Sequence, residues 1–600
     1  MLAELEHLAR GAAAILCLLV FHVALSDFRA QARMSGGTET CISMERDALL
    51  SFKAGLLDPV GRLSSWQGEE CCQWEGVRCN SRTGHVIKLD LRNTYMPDYD
   101  AVMNGYARLN RLNSQSLFID EMSSSLAVLQ QLRYLDLSGN DFNGTTIPLF
   151  VGSLENLRYL NLSWSGFGGR IPSQLGNLSN LEYLDISGNY YQQVDIGDNY
   201  LYRLHTVDLA WLKHLPLLSN LDMSGVDLSH VQDWVYLLNM HSSLIVLRLV
   251  DCGLTSTMSA TSKSNLTHLE VLDLSCNSFN TTLEHYWFWD LTGLKKLHLG
   301  VCDWHGRIPE ELGNMTSLQV IDLGFNYLVG LIPSNLQNSC NLKVLIIEYN
   351  NINASIEEFM DRLPRCSWST IQEFSVGYAS MSGKLPVWIG NMTSLTVLSA
   401  GQNMITGTVP IGVGTLGNLT VLKLGGNKLK GMLTKEHFSG LQNFESLDLS
   451  DNSLKMHIDP NWVPPFRLKS INLESCTVGP RFPEWLRWQT NIDILYLGNT
   501  SLDDVIPDWF WMTFSRALFL DASGNMLRGS LPLNLQHMST KSLSLGSNNL
   551  TGLIPRLLPV NISKLHLSSN SFSGSLPLGL KAPLLEELSL ANNQIIGIIP

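Results

Sequence analysis

One phrase, L-x-x-L-x-L-x-x-N, returns along the chain at nearly constant spacing, and few architectures can accept that regularity. It reads Leu132 to Asn140, then Leu157 to Ser165, Leu181 to Asn189, Leu269 to Asn277, Leu318 to Asn326 and Phe444 to Asn452. The third apolar position falls at Leu249, Leu274, Leu299, Leu323 and Ile347, in steps of 25, 25, 24 and 24 residues. Alternation of Leu-x-Leu specifies a short strand with one buried face. A strand that recurs once per coil stacks in parallel on the next at roughly 4.8 Å. Each buried Leu contributes about 1.5–3 kcal/mol, yet a single coil cannot cover its own apolar face. Coils therefore stabilise one another as neighbours. About twenty such coils absorb the 600 residues, which on size alone would suggest about four compact domains. The expected fold class is α/β, a curved solenoid with a parallel β-sheet on its concave face.

Two further columns run in register with the strands. The Asn that closes each phrase is expected to turn inward, where its amide bonds backbone groups of adjacent coils. Cys252, Cys302 and Cys476 stand at that position and read as small buried core residues, not metal ligands. A second phrase, Gly-x-Ile/Leu/Val-Pro, fills the return of the coil, as at Gly169–Pro172, Gly306–Pro309, Gly330–Pro333, Gly383–Pro386 and Gly407–Pro410. Gly permits the bend, and Pro fixes φ while removing a donor.

The amino terminus carries an apolar run, Ala12 to Leu25, followed by Ala30-Gln31-Ala32. This is the pattern of a secretory signal over residues 1–32. Of eleven cysteines, Cys17 lies in that signal, which leaves an even number for an oxidising compartment. Sequons at Asn143, Asn161, Asn177, Asn265, Asn280, Asn314, Asn353, Asn391, Asn418, Asn499, Asn549 and Asn561 point the same way. Asn177, Asn265, Asn314 and Asn391 each precede a strand's first apolar position by four residues, so their glycans are expected on one flank. Asn161 falls within a strand. A net charge of −13 argues against nucleic acid as a partner, since no basic stripe is available for phosphates.

Before the first strand lies Cys41-Ile-Ser-Met-Glu45-Arg46, then Leu63-Ser-Ser-Trp66, Cys71-Cys72-Gln-Trp74 and Cys79. Four cysteines allow three pairings, of which a vicinal Cys71–Cys72 bridge would be strained. A zinc site lacks a histidine at finger spacing. With the repeats behind it, this stretch resembles the N-terminal cap of plant leucine-rich-repeat receptor-like proteins and receptor kinases. Asp141-Phe142-Asn-Gly-Thr-Thr-Ile147-Pro148 and Gly166 to Pro172 bring the chain nearest to receptor-like proteins of the fungal-xylanase-receptor type. The resemblance implies a cap over 33–85 with Cys41–Cys71 and Cys72–Cys79 bonded and a helix over about 44–56. It also implies a Cys340–Cys366 bond and about twenty plant-type repeats over 86–600. Irregular stretches are expected near 93–128 and 190–215, each read as an irregular or longer coil in preference to a ligand-gripping loop. The family's C-terminal cap, membrane helix and tail do not occur before Pro600, so the chain is expected to continue beyond it.

No Walker A loop, H-E-x-x-H, G-x-S-x-G or kinase signature occurs. Asp136, Asp185, Asp222, Asp273, Asp322, Asp448 and Asp521 share the x of Leu-x-Leu and read as a solvated polar column, with no metal, no cofactor and no catalysis. Exposed rings in register make the better site. Tyr134, Tyr159 and Tyr183 share one position in successive coils, and Phe325, Tyr349 and Tyr378 share another, with His298 and Asp322 near the second group. These eight residues are the expected ligand contacts, the alternative being rings that lie flat over the sheet. By resemblance, the chain is the ectodomain of a kinase-lacking immune or developmental receptor. It would bind a peptide, protein or glycan, signal through a partner receptor-like kinase, and meet the plasma membrane only through an anchor beyond this chain. A secreted inhibitor of microbial cell-wall hydrolases, of the polygalacturonase-inhibitor kind, has the same cap but about ten repeats. A truncated gene product is the third reading.

Overall fold

A computed structural model describes residues 41–94, 116–118, 122–195, 198–255, 264–284, 286–577, 579 and 582–597, with the backbone alone for 190–195 and 198–202. The expected signal over 1–32 and most of the irregular stretch near 93–128 lie outside these residues. The chain divides into two compact units, Met1–Phe167 with Pro172–Leu181, and Gly168–Ile171 with Glu182–Pro600.

The first unit opens with the helix Ser43–Ala54, which buries Ala48, Leu49 and Phe52. Glu45 is buried on the same helix, and its carboxylate accepts from the Val86 amide at 2.7 Å and meets His85 Nδ1 at 2.8 Å. A buried carboxylate is tolerated there because it takes an edge amide that would otherwise be unsatisfied. Trp66 and Trp74 stack at 5.4 Å, and each indole N–H donates to a backbone carbonyl. Disulfides join Cys41 to Cys71 and Cys72 to Cys79. The strand Val77–Cys79 pairs antiparallel with Val86–Asp90, and the parallel ladder begins from there, with Leu89 beside Leu135 and Leu135 beside Leu160.

In the second unit the ladder runs from Tyr183–Asp185 to Glu587–Ser589. Its central residues, Leu184, Leu221, Leu247, Leu272, Leu297, Ile321, Leu345, Phe374, Leu398 and Leu422, are in register one coil apart. All ten are buried. The inward Asn explains how a coil this tight satisfies its backbone. Asn326 Nδ2 donates to Leu299 O and Leu323 O, while its Oδ1 accepts from the amides of Cys302 and Trp304. Cys302 does part of the same work, its thiol donating to Leu274 O at 3.1 Å. Burial drives the Cys252, Cys302 and Cys476 thiols upward in pKa, as suits inert core residues. On the return side, Gly407 takes a φ of 85° that a side chain would resist, and Pro410 leads directly into the 3-10 turn Ile411–Thr415. Cys340 and Cys366 are bonded across successive coils.

Near 190–215 the regular coil is interrupted. Tyr190–Asp195 and Asp198–His205 form an antiparallel hairpin, and the second strand then pairs parallel with Gly169–Arg170. Alternation in Tyr-Tyr-Gln-Gln-Val-Asp, followed by Ile-Gly-Asp-Asn, suits a hairpin better than a coil. Among the described residues no helix is long and apolar enough to cross a membrane.

Candidate functional site

Beyond each strand the ladder continues for three residues, and the third takes a left-handed backbone. In the second unit this slot holds Gly188, Gly225, Asp251, Cys276, Val301, Phe325, Tyr349, Tyr378, Gln402 and Gly426, all with positive φ. Gly and Asp suit such a conformation. A bulky side chain costs about 1–2 kcal/mol there. Phe325, Tyr349 and Tyr378 nevertheless occupy it at φ of 54°, 54° and 52°. They are held by amide bonds to the next coil, from Phe325 to Glu348 O, Tyr349 to Gly377 O and Tyr378 to Gly401 O. The three are therefore turn residues at the strand's exit.

Their rings form a continuous stack. Phe325 and Tyr349 lie 4.1 Å apart and Tyr349 and Tyr378 4.3 Å apart, within 13° and 10° of parallel. All three stay open to solvent, at 48%, 40% and 47% exposure. They stand on edge at the side of the sheet and do not lie flat over it. Burial, and then the neighbouring Tyr378, push the Tyr349 hydroxyl upward in pKa.

Beside the stack runs a nearly side-chain-free lane. The residue just before the slot is Gly300, Gly324, Gly377, Gly401 and Gly425 in five coils, and Glu348 in the coil of Tyr349. Glu348 reaches over the next coil, so that a β-carbon added at Gly377 would sit 3.8 Å from its Oε2 and 3.6 Å from Ser399 Oγ. Glu373 opens the next strand and accepts from Ser375 Oγ at 3.1 Å. Both carboxyls are half-buried and both are raised in pKa. Burial is the first cause for each. Lys423 offsets part of the shift for both, while Asp322 adds repulsion to both. Asp322 lies 3.9 Å from His298 Nδ1, so these two expected contacts do meet. Repeat counting missed Glu348, Glu373 and Lys423, although superposing the coils exposes Glu348 as the break in a run of glycines.

The tyrosines nearer the amino terminus are built differently. Tyr134 and Tyr159 stack at 4.1 Å in the first unit, but their hydroxyls are committed to Asp136 at 3.2 and 3.3 Å. Arg92 donates to Tyr134 Oη at 2.7 Å, and Lys88 Nζ sits 4.0 Å over its ring. Tyr183, in the second unit, turns its hydroxyl to Asp185 at 3.4 Å. All three are half-buried. The aspartate column is likewise not simply solvated. Asp136 is 1% exposed, and Asp136, Asp185, Asp448 and Asp521 each accept from the amide and hydroxyl of the Ser two residues on. That Asp-x-Ser closure holds the strand exit.

Residues 42–80 match the leucine rich repeat N-terminal domain family, and residues 131–154, 156–178, 242–303 and 317–339 match leucine rich repeat families. The chain is 31% identical over 612 residues to Receptor-like protein EIX1 of Solanum lycopersicum, covering 88% of this chain and 56% of that one. Receptor-like protein EIX2 of the same plant is 32% identical over 604 residues with the same coverage. The chain belongs to the leucine-rich-repeat receptor-like proteins. It spans just over half the length of these two receptor-like proteins. Among solved structures, the Arabidopsis receptor kinase HAESA in complex with the peptide hormone IDA and the co-receptor SERK1 superposes with a TM-score of 0.59 at 26% identity. That match covers 93% of this chain and 95% of the other.

The sequons of this receptor-like chain leave the lane bare. Asn177, Asn314 and Asn391 each end a 3-10 turn on the return side and are exposed, with Asn265 at the equivalent position and Asn418 three residues nearer its strand. Asn143, Asn280, Asn353 and Asn549 follow the strand exit on the other flank, and Asn561 precedes the strand Lys564–His566. Only Asn161, within Tyr159–Asn161, and Asn499, in a left-handed slot, stand on the open face. None falls on that face between Lys296 and Lys423.

Proposed function

We propose that this chain is the ligand-binding part of a plant cell-surface receptor that lacks a kinase and signals through a partner receptor kinase. The open face of the sheet between His298 and Lys423 would serve as its ligand site. The exposed Phe325–Tyr349–Tyr378 stack carries the reading. Three large rings occupy a backbone slot that disfavours them, on a part of the open face where no sequon falls, and remain 40–48% exposed. Exposed rings in register supply rigid contact area at low entropic cost. The matching ectodomain of HAESA, solved with a peptide hormone and a co-receptor, supports a peptide as ligand and a receptor kinase as partner. The matched families include no catalytic one, which supports a binding role without enzymatic activity. Secretion to the extracellular face of the plasma membrane follows from the signal-like amino terminus and the sequons.

The test compares secreted wild-type chain with the Tyr349→Ala/Tyr378→Ala variant as bait in plant and microbial extracellular fluids, with captured molecules quantified by mass spectrometry. A ligand retained by the wild type and lost by at least tenfold from an equally well secreted variant is the expected result. Equal retention would make the stack structural.

A further inference from the structure

The lane beside the stack has a defined cross-section. One wall is the rings of Tyr349 and Tyr378. The floor is Gly377 and Gly401, where backbone alone faces outward. Glu348 and Glu373 supply the charge. Among the described residues no Lys or Arg nitrogen lies within 4.0 Å of either carboxylate. Two half-buried carboxylates in adjacent coils repel each other and are relieved by a cation placed between them. The floor matters equally. A β-carbon at Gly377 would meet nothing closer than 3.4 Å, so the coil would accept a side chain there. Its absence leaves room for another chain's backbone to approach.

We infer that this lane receives an extended peptide segment that places a lysine or arginine between Glu348 and Glu373, with its backbone over Gly377 and Gly401 and a side chain against the rings of Tyr349 and Tyr378. Charge complementarity selects the occupant. An acidic peptide would add to the repulsion, and a neutral sugar would leave both carboxylates with only the partial offset that Lys423 supplies. The aromatic wall favours the same cation, since a guanidinium stacks on tyrosine faces. This inference rests on the proposal that the open face is the ligand face, but its test separates the two.

Hexaarginine and its neutral isostere hexacitrulline serve as probes of the full chain by isothermal titration calorimetry at 150 mM salt, with xylohexaose as a neutral glycan. A preference of at least about tenfold for hexaarginine over hexacitrulline is expected. The Glu348→Gln/Glu373→Gln variant should lose that preference. The Glu474→Gln/Asp521→Asn variant removes equal charge from the same face further along and should keep it. Gly377→Leu should weaken hexaarginine binding by filling the floor. No binding of hexaarginine, equal loss in both charge variants, or xylohexaose binding that Gly377→Leu abolishes while Glu348→Gln/Glu373→Gln does not, would each overturn the inference. If Tyr349→Ala/Tyr378→Ala leaves hexaarginine binding intact while the Glu348→Gln/Glu373→Gln variant loses it, the aromatic reading fails and the charge assignment stands.

Discussion

Tyr349 and Tyr378 lie face to face at 4.3 Å although each is held in a left-handed backbone conformation by an amide bond to the following coil. The stack and the strain are thus coupled, and replacing Tyr349 by glycine separates them. Relief of the left-handed conformation returns about 1–2 kcal/mol. Loss of both stacks, on Phe325 and on Tyr378, removes about 1–3 kcal/mol, and glycine adds chain entropy of about 0.5–1 kcal/mol. Tyr349→Gly is therefore expected to lower local stability by only about 1 kcal/mol in hydrogen exchange, while ligand retention falls as it does for alanine.

Asn326 presents the opposite case. Its amide joins four backbone groups in two successive coils, and Asn326→Ala leaves Leu299 O and the amides of Cys302 and Trp304 buried without a partner, while Asn350 still donates to Leu323 O. Each unsatisfied group costs about 1–3 kcal/mol, so local opening of the coils around Leu299 and Leu323 is expected to become easier by several kcal/mol. Hydrogen exchange read peptide by peptide is the suitable measurement, because a repeat array does not melt as one unit. Asn326→Cys should cost less, since Cys302 and Cys476 at equivalent positions already donate to backbone carbonyls.

Asp185 makes one coil sensitive to pH. Its carboxyl is pushed up to about 7 by burial first and by the charge of Asp222 second, from an ordinary 3.8. Ser187 and Tyr183 bond it, and Asp222 faces Arg248 and Asp273 in turn. Between those two values the folded coil holds a proton that the unfolded chain has released, so stability falls as pH rises. The contribution is full below about 4 and gone above about 7. Amides of Leu184 and Ile186 should be better protected at pH 5 than at pH 7.5 once intrinsic exchange rates are removed. Asp185→Asn should abolish the difference, and protection that instead grows with pH would contradict the assignment.

Glycopeptide mapping should find sugar at Asn177, Asn314 and Asn391 on the return side and at Asn280 and Asn353 past the strand exit. A new sequon placed on the open face, Val397→Asn completed by the natural Ser399, should block ligand capture without reducing secretion. Undiminished capture by a chain glycosylated there would move the ligand site elsewhere.

Much of the fold was legible because one period governs it. Leu-x-Leu spacing placed the strands, and the column of Leu249, Leu274, Leu299 and Leu323 is buried in consecutive coils. The site was legible only in part. Phe325, Tyr349 and Tyr378 were visible as aligned rings, but a hydrophobic period carries no information about φ, so their placement in a turn was not. Glu348 and Glu373 are 25 residues apart and become neighbours only when one coil is laid on the next. The hairpin Tyr190 to His205 was legible only as an interruption of the repeat, although its own alternation has the two-residue period of a strand.

The left-handed slot at the strand exit has its conformation imposed by the bond from its own amide to a carbonyl of the adjoining coil, not by the side chain it bears. Gly426, Gln402, Tyr378 and Cys276 all sit in it with the same backbone. A residue there can be exchanged while the leucine column beneath stays as it is. What the surface displays and what the core requires are thereby written at different positions of the same repeat, so that a chain of this kind can alter what it recognises coil by coil without having to refold.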